Sequence, residues 1–402
     1  MTLPGRGRPH EPVRPGAAAL RPGGAGQQTV RRHNLALVLH EVAAGEPVSR
    51  AGVAVRTGLT RGTVSSLVEE LLAVGLITEL AATRGGTGRP ANPLQLNRSG
   101  PAGLGLEIGI DHVGACVVDL TGTVRARRVA PSAHRDRPPE VGLAAATELA
   151  APVVAEAGLT ICGAGVALPG VIGTDGRLQR APNLPGWIDL AVDAELSARL
   201  GGVPVRAGNE ADLAALAELW FGDGMTPAAD GPHASPGRDA GVDFLYVSGG
   251  IGVGAGIVLG GALFRGAGGR AGELGHVVVD PHGPPCSCGG RGCLEQAAGQ
   301  RALLRAAGAG TVEELLARPA AAIERAADAL GIALTGAVHL LDVRTVVLGG
   351  LYAQLGDGLR DAVAAQLAAR VGPVQVRRAR PDSGGSLRGA AAWVVRELLR
   401  QP

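Results

Sequence analysis

The sequence predicts a multidomain chain, with a small, mainly helical N-terminal module ahead of a larger α/β domain. Up to about residue 98, apolar residues recur at helical spacing between capping residues. From Ala102 onward the chain changes to glycine-punctuated apolar strands alternating with Ala/Leu-rich helices. Charge divides at the same place: residues 1–98 hold twelve Arg and six Glu, a net +6, so the rest carries −4 of a total of +2. A basic module that meets a polyanion, joined to a mildly acidic module with another task, has this asymmetry.

With 402 residues, 46% of them hydrophobic, the chain exceeds one ordinary domain and has ample material for a core. The start, MTLPGRGRPHEPVRPG, has no apolar signal region and no apolar run is long enough to cross a bilayer, so no membrane association is expected. Five cysteines, an odd and mostly clustered set, argue for a reducing compartment, and a cytoplasmic location is expected. All fixed positive charge is Arg, since the chain has no Lys.

Residues 1–28, rich in Pro, Gly and Arg without periodicity, read as a disordered tail. Over residues 29–98, Leu35, Val38, Leu39 and Val42 mark a first helix that Gly45 stops. Ser49 caps a second short helix closed by Gly58. Thr60 caps a third, TRGTVSSLVEELLAVGLI, on which Val64, Leu67, Leu71 and Leu72 form an inward stripe. Thr60, Arg61, Thr63, Ser65 and Ser66 are expected outside, where such side chains bond phosphates and base edges in a major groove. An ordinary three-helix bundle with a polar face fits the helices equally well. The hairpin LITELAATRGGTGRPANPLQLN that follows favours DNA: Arg84 and Arg89 sit among glycines that let a guanidinium enter a narrow minor groove. The expected module is a winged helix-turn-helix.

From residue 99 to 402 the strands and helices are those of an α/β domain. GLGLEIGIDHVGACVVDLTGTV gives two strands, ICGAGVALPGVI a buried strand ending at Pro169-Gly170, and VPVRAGNEADLAALAELWFG a strand running into a helix with Asn209 and Glu210 at the junction. Residues 222–241 read as a polar surface insertion. A Gly-rich strand pair, VDFLYVSGGIGVGAGIVLGG, and a late strand, Gly turn and helix, RTVVLGGLYAQLGDGL, complete the pattern.

Together with Asn183-Leu-Pro-Gly-Trp187, the segment Gly272-Glu-Leu-Gly-His276 and the cysteine motif that follows it, these elements resemble the ROK family of repressors, open reading frames and kinases. The resemblance runs from about Thr29 to the C-terminus. It implies an actin-like, sugar-kinase-like fold of two α/β lobes closing on a sugar, assembled as a homodimer or homotetramer. His276, Cys286, Cys288 and Cys293 make a complete tetrahedral ligand set for a structural Zn²⁺, across a loop from residue 276 to 293. Independent buried thiols are the alternative, disfavoured by the spacing and the resemblance. By the same resemblance Asn209, Glu273, His276 and Glu295 are the expected sugar contacts, with Glu210, Gly170 and Asn183 beside them. Carboxylates accept paired hydrogen bonds from neighbouring hydroxyls, which is what a sugar offers.

The kinases of the family place an Asp base after the Asn, where this chain has Glu210; the added methylene displaces a carboxylate whose position governs the rate. Their first phosphate turn runs Asp-x-Gly-Gly-Thr-Lys, and here the turn reads Glu107-Ile-Gly-Ile-Asp-His112. Their second, Gly-Thr-Gly, reads Gly250-Ile251-Gly252. A side chain crowds the backbone and a carboxylate stands where a polyanion would rest. The expected function is a sugar-responsive transcriptional regulator, a repressor of operator DNA without a catalytic residue. One alternative is a sugar kinase with Glu210 as base; another is a regulator controlled by a protein partner.

Overall fold

The computed structural model describes residues 26–81, 92–222, 242–380 and 385–402. Arg84, Arg89, nearly all of the expected tail and nearly all of the polar insertion lie outside the described residues.

The N-terminal module comprises α1 (Gln27–Ala43), α2 (Arg50–Thr57), α3 (Arg61–Ala73) and an antiparallel hairpin of β1 (Ile77–Glu79) and β2 (Leu94–Leu96), with Ile77 opposite Leu96. Its turns are built as the capping residues dictate. Ser49 Oγ accepts from the Gly52 amide at 3.1 Å, Thr60 Oγ1 accepts from the Thr63 amide at 3.2 Å, and Gly58, at φ 72°, closes α2 in a left-handed conformation. Leu35, Val38, Leu39 and Val42 meet Val53, Val64, Leu67 and Leu71 in one core. The inward stripe of α3 differs from expectation by one residue: Val68 is buried and Leu72 only partly so, because Val68 follows Val64 by four positions and lies squarely on its face. Arg50 pairs with Glu69 on α3 at 2.8 Å and with Glu79 on β1 at 2.7 Å, tying three elements together.

The first lobe runs β3 (Ala102–Ile108), β4 (His112–Val118), β5 (Val124–Pro131), α4 (Pro139–Ala157), β6 (Ile161–Leu168), a small sheet of β7 (Val171–Ile172), β8 (Leu178–Arg180) and β9 (Ile188–Leu190), then α5 (Val192–Arg199), β10 (Val205–Asn209) and α6 (Glu210–Phe221). Its main sheet has the order β10-β6-β3-β4-β5, with β10, β6 and β3 parallel. The second lobe runs β11 (Phe244–Gly249), β12 (Val253–Leu259), β13 (Ala262–Leu263), a 3₁₀ turn over Leu274–His276, α7 (Leu294–Ala298), α8 (Gln300–Ala307), α9 (Val312–Ala317), α10 (Ala320–Leu341), β14 (Thr345–Gly350), α11 (Leu351–Gln354), α12 (Gly356–Val371) and β15 (Gln375–Arg378). Its sheet has the order β13-β12-β11-β14-β15.

The chain then returns to the first lobe as α13 (Gly385–Arg400). Along β3, Leu104, Leu106 and Ile108 face α4 and its Leu143, whereas Gly103 and Gly105 face α13. A Cβ at Gly105 or Gly165 would collide with the carbonyls of Leu387 and Ala390, so the glycines of GLGLEIG and GAG let this helix lie directly on the sheet. Val395 of α13 also joins the core of the N-terminal module, as does Leu120 of the β4–β5 turn. Among the described residues no helix is long and apolar enough to cross a membrane.

Candidate functional site

The junction of β10 and α6 builds one wall of a cleft. Asn209 caps α6: its Oδ1 accepts from the amides of Ala211 at 2.8 Å and Asp212 at 3.3 Å, while its Nδ2 donates to the Gly170 carbonyl at 2.8 Å. That amide group therefore fixes the helix start to the Pro169-Gly170 turn. Gly170 sits at φ 109°, where a Cβ would strike the Arg180 carbonyl, so the turn requires glycine. From the other lobe the 3₁₀ turn brings Glu273 Oε2 to 3.8 Å from His276 Nε2, and Glu295 Oε2 accepts from the Val253 amide at 3.3 Å. All seven residues expected at a sugar site, Gly170, Asn183, Asn209, Glu210, Glu273, His276 and Glu295, line this single pocket. Burial pushes the carboxyls of Glu273 and Glu295 above the usual range.

The lobes are laced beside it by arginines. Arg265 donates to the Ile172 carbonyl at 2.9 Å, Arg270 to Gln179 at 3.3 Å, and Arg180 to the Ser287 carbonyl at 3.2 Å. The last of these reaches the cysteine loop.

His276, Cys286, Cys288 and Cys293 converge, with one ligand atom from each lying within 4.8 Å of all the others. Sulfurs bound tetrahedrally to Zn²⁺ at about 2.3 Å stand roughly 3.7 Å apart. Cys286 Sγ lies 3.7 Å from His276 Nδ1, and Cys288 Sγ lies 3.7 Å from Cys293 Sγ. The group fits a four-coordinate metal with no further position open. His276 turns Nδ1 to the thiols and Nε2 to Glu273, so one imidazole joins the metal ligands to the pocket wall.

A second cavity, of about 570 Å³, adjoins the first at Ile110, Glu210 and Gly252, which line both. Its near wall is the turn after β3. There His112 folds its ring over Gly109, with Nδ1 at 2.9 Å from Asp111 and Nε2 at 3.5 Å from Glu107. The hydrogen bond and charge of Glu107 push the imidazole up to about 9, so it is cationic at neutral pH. Ser386 of α13 donates to Glu107 at 2.8 Å, and the Gly109 amide donates to the His112 carbonyl at 2.9 Å. Glu210 faces this group, and burial together with Glu107 raises its carboxyl to about 7.

Residues 103–397 match the ROK family and residues 36–86 match the MarR family. The xylose repressor of Bacillus subtilis (strain 168) is 30% identical over 284 residues, covering 70% of this chain and 69% of that protein. The chain belongs to the ROK family. Among solved structures, a ROK family transcriptional regulator homologous to the Escherichia coli MLC protein shares its fold over 92% of this chain and 97% of that one, with a TM-score of 0.73 at 23% identity. A ROK family glucokinase from Streptomyces griseus, in complex with glucose and AMPPNP, covers 73% of this chain and 98% of its own, with a TM-score of 0.61 at 26% identity.

In this ROK chain the MarR-type winged helix presents Thr60, Arg61 and Ser66 to solvent, while Thr63 and Ser65 are half-buried. The Thr63 hydroxyl is engaged with that of Thr60 at 2.9 Å. The side chains of Arg31, Arg50 and Arg56 pair with Glu70, Glu69, Glu79 and Glu41 within the module. Two features escaped the sequence reading. Asp212, buried in the first turn of α6, lines the pocket as well; an acidic residue at a helix start is ordinarily read as a partner of the helix dipole. Arg388 is held between the Phe221 ring, 3.7 Å from its centroid, and the Gly122 carbonyl at 2.9 Å, so that α6, α13 and the β4–β5 turn meet beside the winged helix.

Proposed function

We propose that this chain is a sugar-responsive transcriptional repressor without kinase activity. The tail expected over residues 1–28 gives way to α1 at Gln27; residues 29–98 form the DNA-binding unit and 99–402 the sensor. A homodimer or homotetramer in the cytoplasm places two copies of α3 in successive major grooves of a palindromic operator, with Thr60, Arg61, Thr63, Ser65 and Ser66 at the DNA and Arg84 and Arg89 in the flanking minor groove. Asn183, Glu210, Glu273, His276 and Glu295 receive the hydroxyls of a sugar, while Asn209 and Gly170 hold the wall they stand on. His276, Cys286, Cys288 and Cys293 hold one structural Zn²⁺, which keeps Glu273 and Glu295 at their stations.

The observation that carries this reading is the contrast at the turn after β3, where Glu107, His112 and Ser386 satisfy one another at the position a phosphate-binding loop would use. Sugar binding shifts the balance between DNA-competent and incompetent arrangements through its different affinity for the two. The α6 helix, which starts at the pocket and ends at Phe221 beside the winged helix, supports such a link.

The cavity of about 570 Å³ beside Glu210 favours a second reading, a sugar kinase with Glu210 as base. Calorimetric titration with hexoses, pentoses and amino sugars, with and without ATP and with ADP followed in the same samples, separates them. Sugar binding without ADP is expected. Steady ADP formation overturns the repressor reading in favour of the kinase, and the absence of any sugar binding replaces it with control by a protein partner.

A further inference from the structure

Where the winged helix meets the first lobe, the seam keeps a third cavity, of about 230 Å³. It shares no lining residue with the pocket or the cavity of the cleft. Val42 and Leu96 wall it from the N-terminal module, and Leu120, Phe221, Val395 and Leu399 wall it from the lobe. Small residues leave the space: Ala43, Gly45, Gly122 and Ala392 stand between the larger ones, and a Cβ placed on Gly45 would meet nothing within 4 Å. The Phe221 ring cannot swing in to fill it. A Cβ on Gly122 would come within 2.3 Å of that ring, and the Arg388 guanidinium lies 3.7 Å from its centroid, so the ring is a fixed wall.

The charge around this cavity has one sign. Arg98 and Arg396 line it, and no Asp or Glu does so among the described residues. The Arg98 side chain is exposed and without a hydrogen-bond or ion-pair partner among the described residues, its carbonyl alone being taken, by Arg125 at 3.1 Å. Arg396 lies over the Trp220 ring, 5.4 Å from its centroid. The Gln95 side-chain amide, also in the lining, makes no hydrogen bond among the described residues and offers a further donor. The carboxylate of the β4–β5 turn, Asp119, is buried and already accepts from the Thr121 and Thr123 amides, the Thr121 hydroxyl and Arg125. Its charge is satisfied within the turn.

Apolar walls with guanidinium and amide donors beside them suit a compact hydrocarbon body that carries one carboxylate. A cavity of about 150 Å³ holds benzene, so this one has room for a six-membered ring and the carboxylate attached to it. A guanidinium receives a carboxylate through two parallel hydrogen bonds, whereas a sugar would leave most of its hydroxyls unpaired against leucine and valine. We propose that the seam is a second ligand site, for a compact apolar monocarboxylate whose body rests against Leu96, Leu120, Phe221 and Leu399 and whose charge is received by Arg98 and Arg396. Its walls come from both modules, so a ligand there ties the winged helix to the lobe and gives the DNA-binding unit an input separate from the cleft.

The test is calorimetric titration of the full-length protein with cyclohexanecarboxylate, cyclohexylmethanol and cyclohexylmethylamine, which share one ring and differ in charge. The acid is expected to bind with a dissociation constant below about 1 mM. The alcohol should bind at least about tenfold more weakly and the amine more weakly still. Arg98→Gln, at an exposed position, should weaken the acid by at least about fivefold and leave the alcohol unchanged. Ala43→Leu and Leu399→Phe, which fill the space from opposite walls at half-buried positions, should each abolish binding of the acid while a melting curve shows the variant folded. No binding of the acid at about 10 mM overturns the proposal. Equal binding of acid and alcohol overturns the role of the arginines, and undiminished binding in both folded filling variants overturns the location.

Discussion

In the half of the cleft around Glu273, one buried carboxyl oxygen has no hydrogen-bond partner; in the half around Glu107, the polar groups of the turn bond one another. Asp212 Oδ1 is buried without a partner, and Glu273 and Glu295 stand raised by burial around a pocket. Across the shared wall at Glu210, the Glu107 carboxylate is bonded by Ser386 and His112, and the amide of Gly109 is taken by the His112 carbonyl. Unsatisfied groups around a cavity await a ligand, while a satisfied network is finished structure.

The contrast can be broken at its strongest point first. Removing a metal ligand with Cys293→Ala should take the zinc content from about one per chain to near none and lower the thermal midpoint by roughly 10 °C; metal analysis and a melting curve check both. Wild-type protein that is folded, freshly reduced and metal-free contradicts the assignment. Glu273→Ala comes next, with about a 100-fold loss of sugar affinity and no change in operator affinity. Loss of both in the same titrations would mean a misfolded lobe.

Asp212→Asn tests the unsatisfied side from the stability of the free protein. The Asp212 carboxyl stands at about 7 when folded, raised by burial and by Glu273 against the pull of Arg265, and so lies above its unfolded value. Its burial therefore costs little at pH 4 and below, and the cost grows as pH rises from there and is complete above about 7. The variant should be more stable than wild type by about 2 kcal/mol at pH 8 and equal to it at pH 4, read by urea unfolding. The smallest effect belongs to the DNA face. Arg61→Ala should weaken operator binding by about tenfold and reduce the salt slope by about one, whereas Arg89→Ala should lose affinity chiefly at A·T-rich sites.

Capping residues and ligand spacing were legible because their chemistry is local. Ser49, Thr60 and Gly58 each act within three or four residues, and the cysteines of one loop reach His276 over ten to seventeen positions. The choice of Val68 over Leu72 was less so, since Leu71 and Leu72 are both apolar and only packing against α1 and α2 decides which turns inward. Asp212 was illegible for another reason: its meaning depends on Arg265, which comes from the opposite lobe and is committed to a backbone carbonyl. Nothing in the order of residues announces that α13 returns to the first lobe and shares its Val395 with the winged helix.

The twelve residues of α6 join Asn209 at the pocket floor to Phe221 beneath the Arg388 guanidinium. A rod of that length measures about 18 Å, so a tilt of only some five degrees about its capped end sweeps the far end through roughly 1.5 Å. The Phe221 ring and Arg388 are stacked at 3.7 Å, and displacement on that scale unseats them. In the proposed repressor this helix is the lever, with its fulcrum at the pocket, by which a small change there reaches the DNA-binding unit.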